Sequence, residues 1–567
     1  MMQWPPRPRT TFKDALLPEV QEFLLENSPL QLDDRPLPDD GRPQMELGGF
    51  PTGNTRSKAA LKKANIWLKR CLEGHKLCAG ITLGLECGGP RMPKRLLVID
   101  KGPLLRIRLL KDARILPPQQ YVCLSHRWSQ ATEVSSLTRD WETAYETGIP
   151  DDRVYPLVRD AVEITYRLGF KYIWIDCFCI CQDDPDDWAE QVLEMDTIYE
   201  NAAVTISALS SNTDPKRGIF AKVPPSMVTG WRPEGEKSAE RLRVNGQHPF
   251  YLSLTNDQKL KANSNADGFP LIERGWVYQE RLCSRRLLHF TDYELVWECK
   301  EALSCECRID ERQWSDVKSR GQRVFGMDWK DIVTEYRAKK LTDERDWLPA
   351  LSGIARRFGS THNWTYLSGL WLEQLPEQLD WIHSTDLDKP EMCRGLLKHR
   401  RIPSWSWISV PGPVEFASQP AHKTARVISH NVVVEGVNPY GDPTTATLVI
   451  EGPCISATVE EKLDSHCFKL RVGARNVLLK ADDPWNDSGW FPWDLLGKGA
   501  EFLVLILSVS EKPGRFESQS FGLALSQVSQ AQDGGAVCYR RAGVVDEPLM
   551  GIASLADLPP VWRVSLI

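Results

Sequence analysis

Between residues 119 and 210 the chain alternates short apolar runs with amphipathic stretches. YVCLSH (121–126) reads as a buried strand ending in a polar group, Ser125, His126 and Arg127. Over 156–168, Leu157, Ala161, Ile164, Thr165 and Leu168 share one helical face. Pro156 stands where a first helical turn tolerates it, and Gly169 follows as a stop. KYIWIDCFCI (171–180) reads as a second buried strand. The polar turn QDDPDD then offers Asp186 or Asp187 as the cap of a helix over 188–199, and AAVTISAL (202–209) reads as a third strand. Strand, helix, strand, helix, strand with short connections predicts a parallel sheet with helices on its faces. Ligands of such sheets bind outside the carboxyl ends of the strands. Those ends carry Ser125, His126 and Arg127, then Asp176, then Ser210, Ser211 and Asn212.

The flanking patterns extend this picture. A helix starts near Ser57 (SKAALKKANIWLKRCLEGH) and is followed by a Gly-rich turn and the short strand RLLVID. ERGWVYQERLCSRRLLHF reads as a helix over about 274–284 running into a fourth strand, with which ELVWEC can pair. Residues 310–400 look mainly helical, as in WKDIVTEYRAKK. From 403 onward regularly spaced runs such as ATLVIEG, CFKLRVG, FLVLILSVS and FGLALSQV suggest a β sandwich or barrel. The expected organisation is a Pro-rich, mostly disordered lead-in at 1–57, then a helical preface at 58–118. An α/β domain at 119–300 follows, with a loop-rich insertion at 212–272, then a helical region at 301–402 and a β-rich domain at 403–567.

Composition narrows the function classes. The 567 residues carry 70 Lys and Arg against 76 Asp and Glu, a net charge of -6 that gives no sign of nucleic-acid binding. No stretch approaches the roughly 18 consecutive apolar residues of a membrane span. MMQWPPRPRTTFKD lacks the apolar core of a secretory signal. Fifteen scattered cysteines, an odd number, therefore read as reduced thiols of a cytoplasmic protein. The 21 tryptophans argue for a well-packed chain.

Three blocks carry a family likeness: YVCLSHRW at 121–128, LGFKYIWIDCFCICQDDPDDWAEQVLEMDTIYENAAVTISA at 168–208, and RGWVYQERLCSRRLLHF at 274–290. DERDWLPALSGIA (343–355) and PSWSW (403–407) fit the same extended architecture. In these blocks, which span about half the chain, the sequence resembles the fungal heterokaryon-incompatibility (HET) domain proteins. It departs from the usual pattern at His126, where Tyr is common, and at Ser129, where Gly is common. The resemblance implies a flavodoxin/TIR-like parallel sheet with flanking helices, followed by a helical region and a C-terminal β-rich domain. It also implies a role in self/non-self recognition and programmed cell death, with self-association. Some TIR domains cleave the nicotinamide–ribose bond of NAD with a Glu on the helix before the fourth strand. Here that residue is Glu280, and NAD would be substrate, with no cofactor required.

The residues can be weighed on their own chemistry. Glu280 shares a helical face with Trp276, Gln279 and Cys283. A partly desolvated carboxylate there could stabilise an oxocarbenium ion, or it could simply pair with Arg274, Arg281 or Arg285. Asp176 ends an apolar strand, where a charge is costly unless paired or used. It supports the site, or it caps the following turn or bonds Arg127 and so fixes the loops. Ser125, Arg127, Trp128, Gln182 and Trp276 complete the expected substrate crevice, with Arg127 suited to a diphosphate. Cys177, Cys179 and Cys181 alternate along the expected strand and read as buried thiols. Cys71, His75 and Cys78 fall on one side of a helix, and Cys87 could complete a tetrahedral zinc set, although the spacing matches no common finger. The alternative there is a helix edge packed on the domain. No Walker A or G-x-G-x-x-G motif is present.

Overall fold

A computed structural model describes residues 52–79, 92–102, 105–209, 217–222, 269–292, 294–306, 328–383, 402–410, 412–417, 422–463, 467–472, 475–482, 498–510, 519–528, 537–545 and 558–567. The lead-in expected over 1–57 and the insertion expected over 212–272 lie outside the described residues, apart from 52–57, 217–222 and 269–272. The chain divides into two compact units, residues 1–324 and 325–567.

The first unit opens with α1 (Lys58–Gly74) and α2 (Lys76–Ala79). Ser57 caps α1 by accepting from the Ala60 amide. Two strands follow, β1 (Leu96–Asp100) and β2 (Arg106–Leu110), then β3 (Tyr121–Ser125), α3 (Gln130–Ser135), α4 (Arg139–Thr147) and α5 (Pro156–Arg167). After these come β4 (Tyr172–Trp174), α6 (Asp176–Cys179), α7 (Pro185–Asn201) and β5 (Val204–Ala208). The unit closes on α8 (Gly275–Cys283), β6 (Arg286–Phe290), β7 (Leu295–Cys299) and β8 (Leu303–Cys305). These eight strands form one mixed sheet in the order β2-β1-β4-β3-β5-β6-β7-β8. The inner strands β4, β3, β5 and β6 are mutually parallel, with Tyr121 opposite Tyr172, Ser125 opposite Ser207 and Ala208 opposite Phe290. The outer strands join antiparallel.

The physical reasons are visible in the residues. Every position of β3, β5 and β6 is buried, as expected of parallel strands covered on both faces. On α5 the predicted face (Leu157, Ala161, Ile164, Thr165) is buried together with Val158 and Val162. Burying each of the Leu, Ile and Val side chains contributes about 1.5–3 kcal/mol. Gly169, at φ 90°, takes the left-handed conformation that ends this helix.

Two expectations are corrected here. KYIWIDCFCI is a strand only over Tyr172–Trp174, and from Asp176 to Cys179 the chain turns into a helical segment. Cys177, Cys179 and Cys181 therefore do not alternate along a strand, although all three are buried. The cap of α7 is Asp184, which accepts from the Asp186 and Asp187 amides, rather than either of those residues.

The second unit contains α9 (Trp329–Arg337), α10 (Ser352–His362) and two small sheets of β9 (Tyr366–Leu367) with β10 (Leu370–Trp371) and β11 (Trp381–His383) with β12 (Val414–Phe416). A nine-stranded sheet follows: β13 (His422–Lys423), β14 (Arg426–Val434), β15 (Pro443–Lys462), β16 (Cys467–Val472), β17 (Arg475–Ala481), β18 (Glu501–Ser510), β19 (Gln519–Gln527), β20 (Cys538–Val545) and β21 (Val561–Leu566). The long β15 pairs with β14, β16, β18 and β21 along its length. The β-rich C-terminal pattern is thus present as one extensively paired sheet. Beside the small sheets lies a core of fully buried indoles, in which Trp329 and Trp407 both donate to the Gly369 carbonyl at 2.8 Å.

Candidate functional site

The carboxyl ends of the parallel strands bring together residues from four separate stretches of sequence. Ser125 ends β3, Asp176 begins α6 just after β4, Tyr199 lies near the end of α7, and Glu280 lies on α8, which leads into β6. Glu280 is only 5% exposed. Burial pushes its carboxyl up to about 7. The Ser125 hydroxyl pulls it back, the Asp176 charge adds to the rise, and Arg274 and the Tyr199 hydroxyl oppose it. Ser125 Oγ, His126 Nδ1 and Glu280 Oε2 are all buried without a well-formed hydrogen bond.

Around this carboxylate the loops are fixed by polar contacts. Asp176 accepts from the Trp128 indole at 2.6 Å and from the Cys177 amide at 2.7 Å. His126 Nδ1 lies 3.7 Å from Asp176 Oδ1, and its Nε2 meets the Tyr155 hydroxyl at 3.2 Å. Burial lowers the His126 pKa, so the ring is neutral near pH 7. Ser129 caps α3 in a reciprocal arrangement with Thr132, giving a physical reason for its place after Trp128. Arg274 donates to the His126 carbonyl at 3.4 Å and so ties the start of α8 to the end of β3.

The expected site residues divide accordingly. Glu280, Asp176 and Ser125 converge, and Trp128 joins them through Asp176. Gln182 donates to the Ile180 and Asp176 carbonyls at 3.1 and 3.4 Å and braces its own loop. Trp276 packs edge-on against Trp188, with ring centroids 6.2 Å apart, between α8 and α7. Arg127 is exposed at the rim. None of the ion-pairing alternatives captures Glu280. Arg281 pairs with Glu298 at 2.7 Å, Arg285 reaches Glu200 at 3.8 Å, and Arg274 contributes only charge at longer range. The residue that sequence patterns missed is Tyr199; Arg274, expected as a possible partner of Glu280, acts on it through charge and ties α8 to β3. A Tyr on an amphipathic helix looks like core, and the only local signal was a hydroxyl that needs a partner when buried; here it donates to the Leu124 carbonyl at 3.3 Å.

A second polar network holds the loop after α6. Arg95 bridges Glu142 and Asp187, Lys94 also reaches Asp187, and Asp187 accepts from the Cys181 amide at 2.8 Å. Burial pushes the Cys179 and Cys181 thiols up to about 12, so neither is a thiolate nucleophile at neutral pH. A cavity of about 480 Å3 lined by Asn54, Arg56, Arg167, Phe220, Ala221 and Lys222 includes none of the strand-end residues.

Cys71, His75 and Cys78 also come together, but with Cys299 of β7 as their fourth neighbour. Cys87 lies outside the described residues. Eleven described cysteines form no disulfide, whereas Cys305 is in one, so the expectation of thiols throughout is corrected at that position. Among the described residues no helix is long and apolar enough to cross a membrane.

Residues 121–280 match the family model described as Heterokaryon incompatibility protein (HET), so that stretch of the chain carries a HET domain. The matched stretch begins at the first residue of β3 and ends on Glu280, so it encloses the whole strand-end cluster. No curated protein and no solved structure matches the chain.

Proposed function

We propose that this chain acts in heterokaryon incompatibility as a cell-death effector whose first unit cleaves the nicotinamide–ribose bond of NAD, with Glu280 as the catalytic carboxylate. The observation that carries the reading is the burial of Glu280 among Ser125, Asp176, Tyr199 and Arg274 at the ends of parallel strands. Numbered by themselves, those strands run in the order 2-1-3-4, which supports a flavodoxin/TIR-like core. In such sheets ligands bind where the strand order reverses, here between β3 and β5, beside Ser125.

The chemistry suits a lone carboxylate. Nicotinamide leaves as a neutral base when the glycosidic C–N bond breaks, so no acid need protonate it. The ionised Glu280 stabilises the ribosyl oxocarbenium ion. Water then adds to C1′, giving ADP-ribose, nicotinamide and one proton. Arg127 at the rim would meet the diphosphate, and Trp128 would face the bound ring. In the single chain the carboxylate is nearly closed off, which supports a resting form that self-association must open. An intracellular location fits NAD as substrate.

The same burial favours a second reading, a catalytically silent interaction module in which Glu280 is inert. Expressing the full chain with Glu280→Gln alongside, and following nicotinamide release and cell viability, separates the two. Unchanged toxicity in Glu280→Gln with no loss of NAD would sink the enzymatic reading.

A further inference from the structure

Near the β7–β8 edge of the first unit's sheet, the side chains of Cys71, His75, Cys78 and Cys299 converge so that their ligand atoms all lie within 4.8 Å of one another. Cys299 Sγ is 3.3 Å from His75 Nδ1. A tetrahedral zinc with bonds of about 2.3 Å to sulfur and about 2.0 Å to nitrogen sets its ligand atoms roughly 3.5–3.8 Å apart, so small side-chain adjustments close the site. We infer that Cys71, His75, Cys78 and Cys299 form a structural zinc site that fastens α1 and α2 to the β7–β8 hairpin.

Three further observations point to bound metal rather than chance proximity. Cys299 starts a tight turn in which the Ala302 amide donates to its sulfur at 3.1 Å, an N–H···S bond that stabilises a metal-bound thiolate. Arg286, 5% exposed, sends Nε to Cys71 Sγ at 3.2 Å and Nη2 to the Cys78 carbonyl at 2.9 Å. No carboxylate among the described residues pairs with that guanidinium. A buried cation needs a counter-charge. Zinc with three thiolates and a neutral imidazole carries one net negative charge, which Arg286 balances. Finally, Leu77 in α2 donates its amide to Glu301 on the turn after Cys299, so the two ligand-bearing segments are docked independently of the metal. All four positions are filled by protein, which leaves no open site for substrate.

The set also crosses a large separation in the chain, from 71–78 to 299. Tying such distant segments removes much conformational freedom from the unfolded chain, so metal binding stabilises this unit. This inference does not depend on the NAD reading.

The test uses the full chain expressed in zinc-supplemented medium and purified without chelator. Elemental analysis is expected to give one zinc per chain. Replacing zinc with Co2+ is expected to produce tetrahedral d–d bands and an intense thiolate charge-transfer band. Cys78→Ser and Cys299→Ser should lose the bound zinc, whereas Cys87→Ser should keep it. Arg286→Lys should weaken zinc affinity by about tenfold or more in chelator competition. Absence of zinc together with absence of the cobalt–thiolate band in the wild-type chain overturns the site, a result that needs no variant to fold. Zinc retained by Cys299→Ser and lost by Cys87→Ser overturns the fourth ligand.

Discussion

Two largely enclosed carboxylates, eighteen positions apart, show opposite solutions to the same physical problem. On the β6–β7 side of the sheet, Glu298 receives both Arg281 nitrogens at 2.7 and 2.9 Å and His289 at 2.9 Å. These partners hold its carboxyl far below the usual range despite burial. At the strand ends, Glu280 has no ion pair and is pushed up to about 7. Burial alone therefore does not decide the state of a carboxylate; pairing does. The paired one is a structural element. The unpaired one is held near its titration point at neutral pH, where a functional group is useful.

That contrast can be broken from either side. Glu298→Ala should have the largest effect, a loss of about 3–5 kcal/mol, because Arg281 is left buried and uncompensated; chemical denaturation followed by far-UV circular dichroism checks it. Glu280→Gln should lower NAD cleavage about a hundredfold or more while stabilising the fold. The sign follows from linkage. The native Glu280 holds its proton up to about 7 whereas its ordinary value is 4.5, so stability falls as pH rises between those values. Removing the charge should return of order 3 kcal/mol at pH 8 and little at pH 4. Glu298 has the reverse sign. Its depressed carboxyl stabilises the fold above the ordinary range, and that contribution disappears on strong acidification.

On the proposed mechanism, which uses the ionised form of Glu280, the rate of NAD cleavage should rise with pH through about 7. Tyr199→Phe should move that rise to higher pH and Asp176→Asn to lower pH, and a pH–rate profile for each variant reads both directions. Trp128→Phe, which removes the 2.6 Å bond to Asp176, should have the smallest effect. A loss of about 1–2 kcal/mol in thermal unfolding is expected.

Much of the α/β architecture was legible because buried parallel strands and an amphipathic helix leave simple patterns. The apolar runs of β3 and β5 and the stripe on α5 each matched their element. KYIWIDCFCI misled because a short apolar run fits a buried strand and a buried helical turn equally well. The turn of the backbone at Asp176, where its carboxylate accepts from the Cys177 amide, carries no periodic signal. RIRLL, the half-buried edge strand β2, is too short for its alternation to stand out. At the candidate site Glu280, Asp176 and Ser125 could be nominated from strand ends and family likeness. Tyr199 could not, since its role arises only when α7, α8 and β3 meet, and Arg274 was legible only as a possible partner of Glu280. That Cys299 joins Cys71, His75 and Cys78 was illegible for a similar reason: three of the residues are local in sequence, and the fourth comes from a strand more than two hundred residues away.

The indole core of the second unit has a practical optical consequence. Of the tryptophans that are completely enclosed among the described residues, Trp329, Trp371, Trp381, Trp405 and Trp407 belong to that unit, and only Trp174 and Trp297 to the first. Enclosed rings emit at shorter wavelengths and shift most on exposure to water. A red shift in the intrinsic fluorescence of this protein will therefore report mainly on the half of the chain that lacks Glu280.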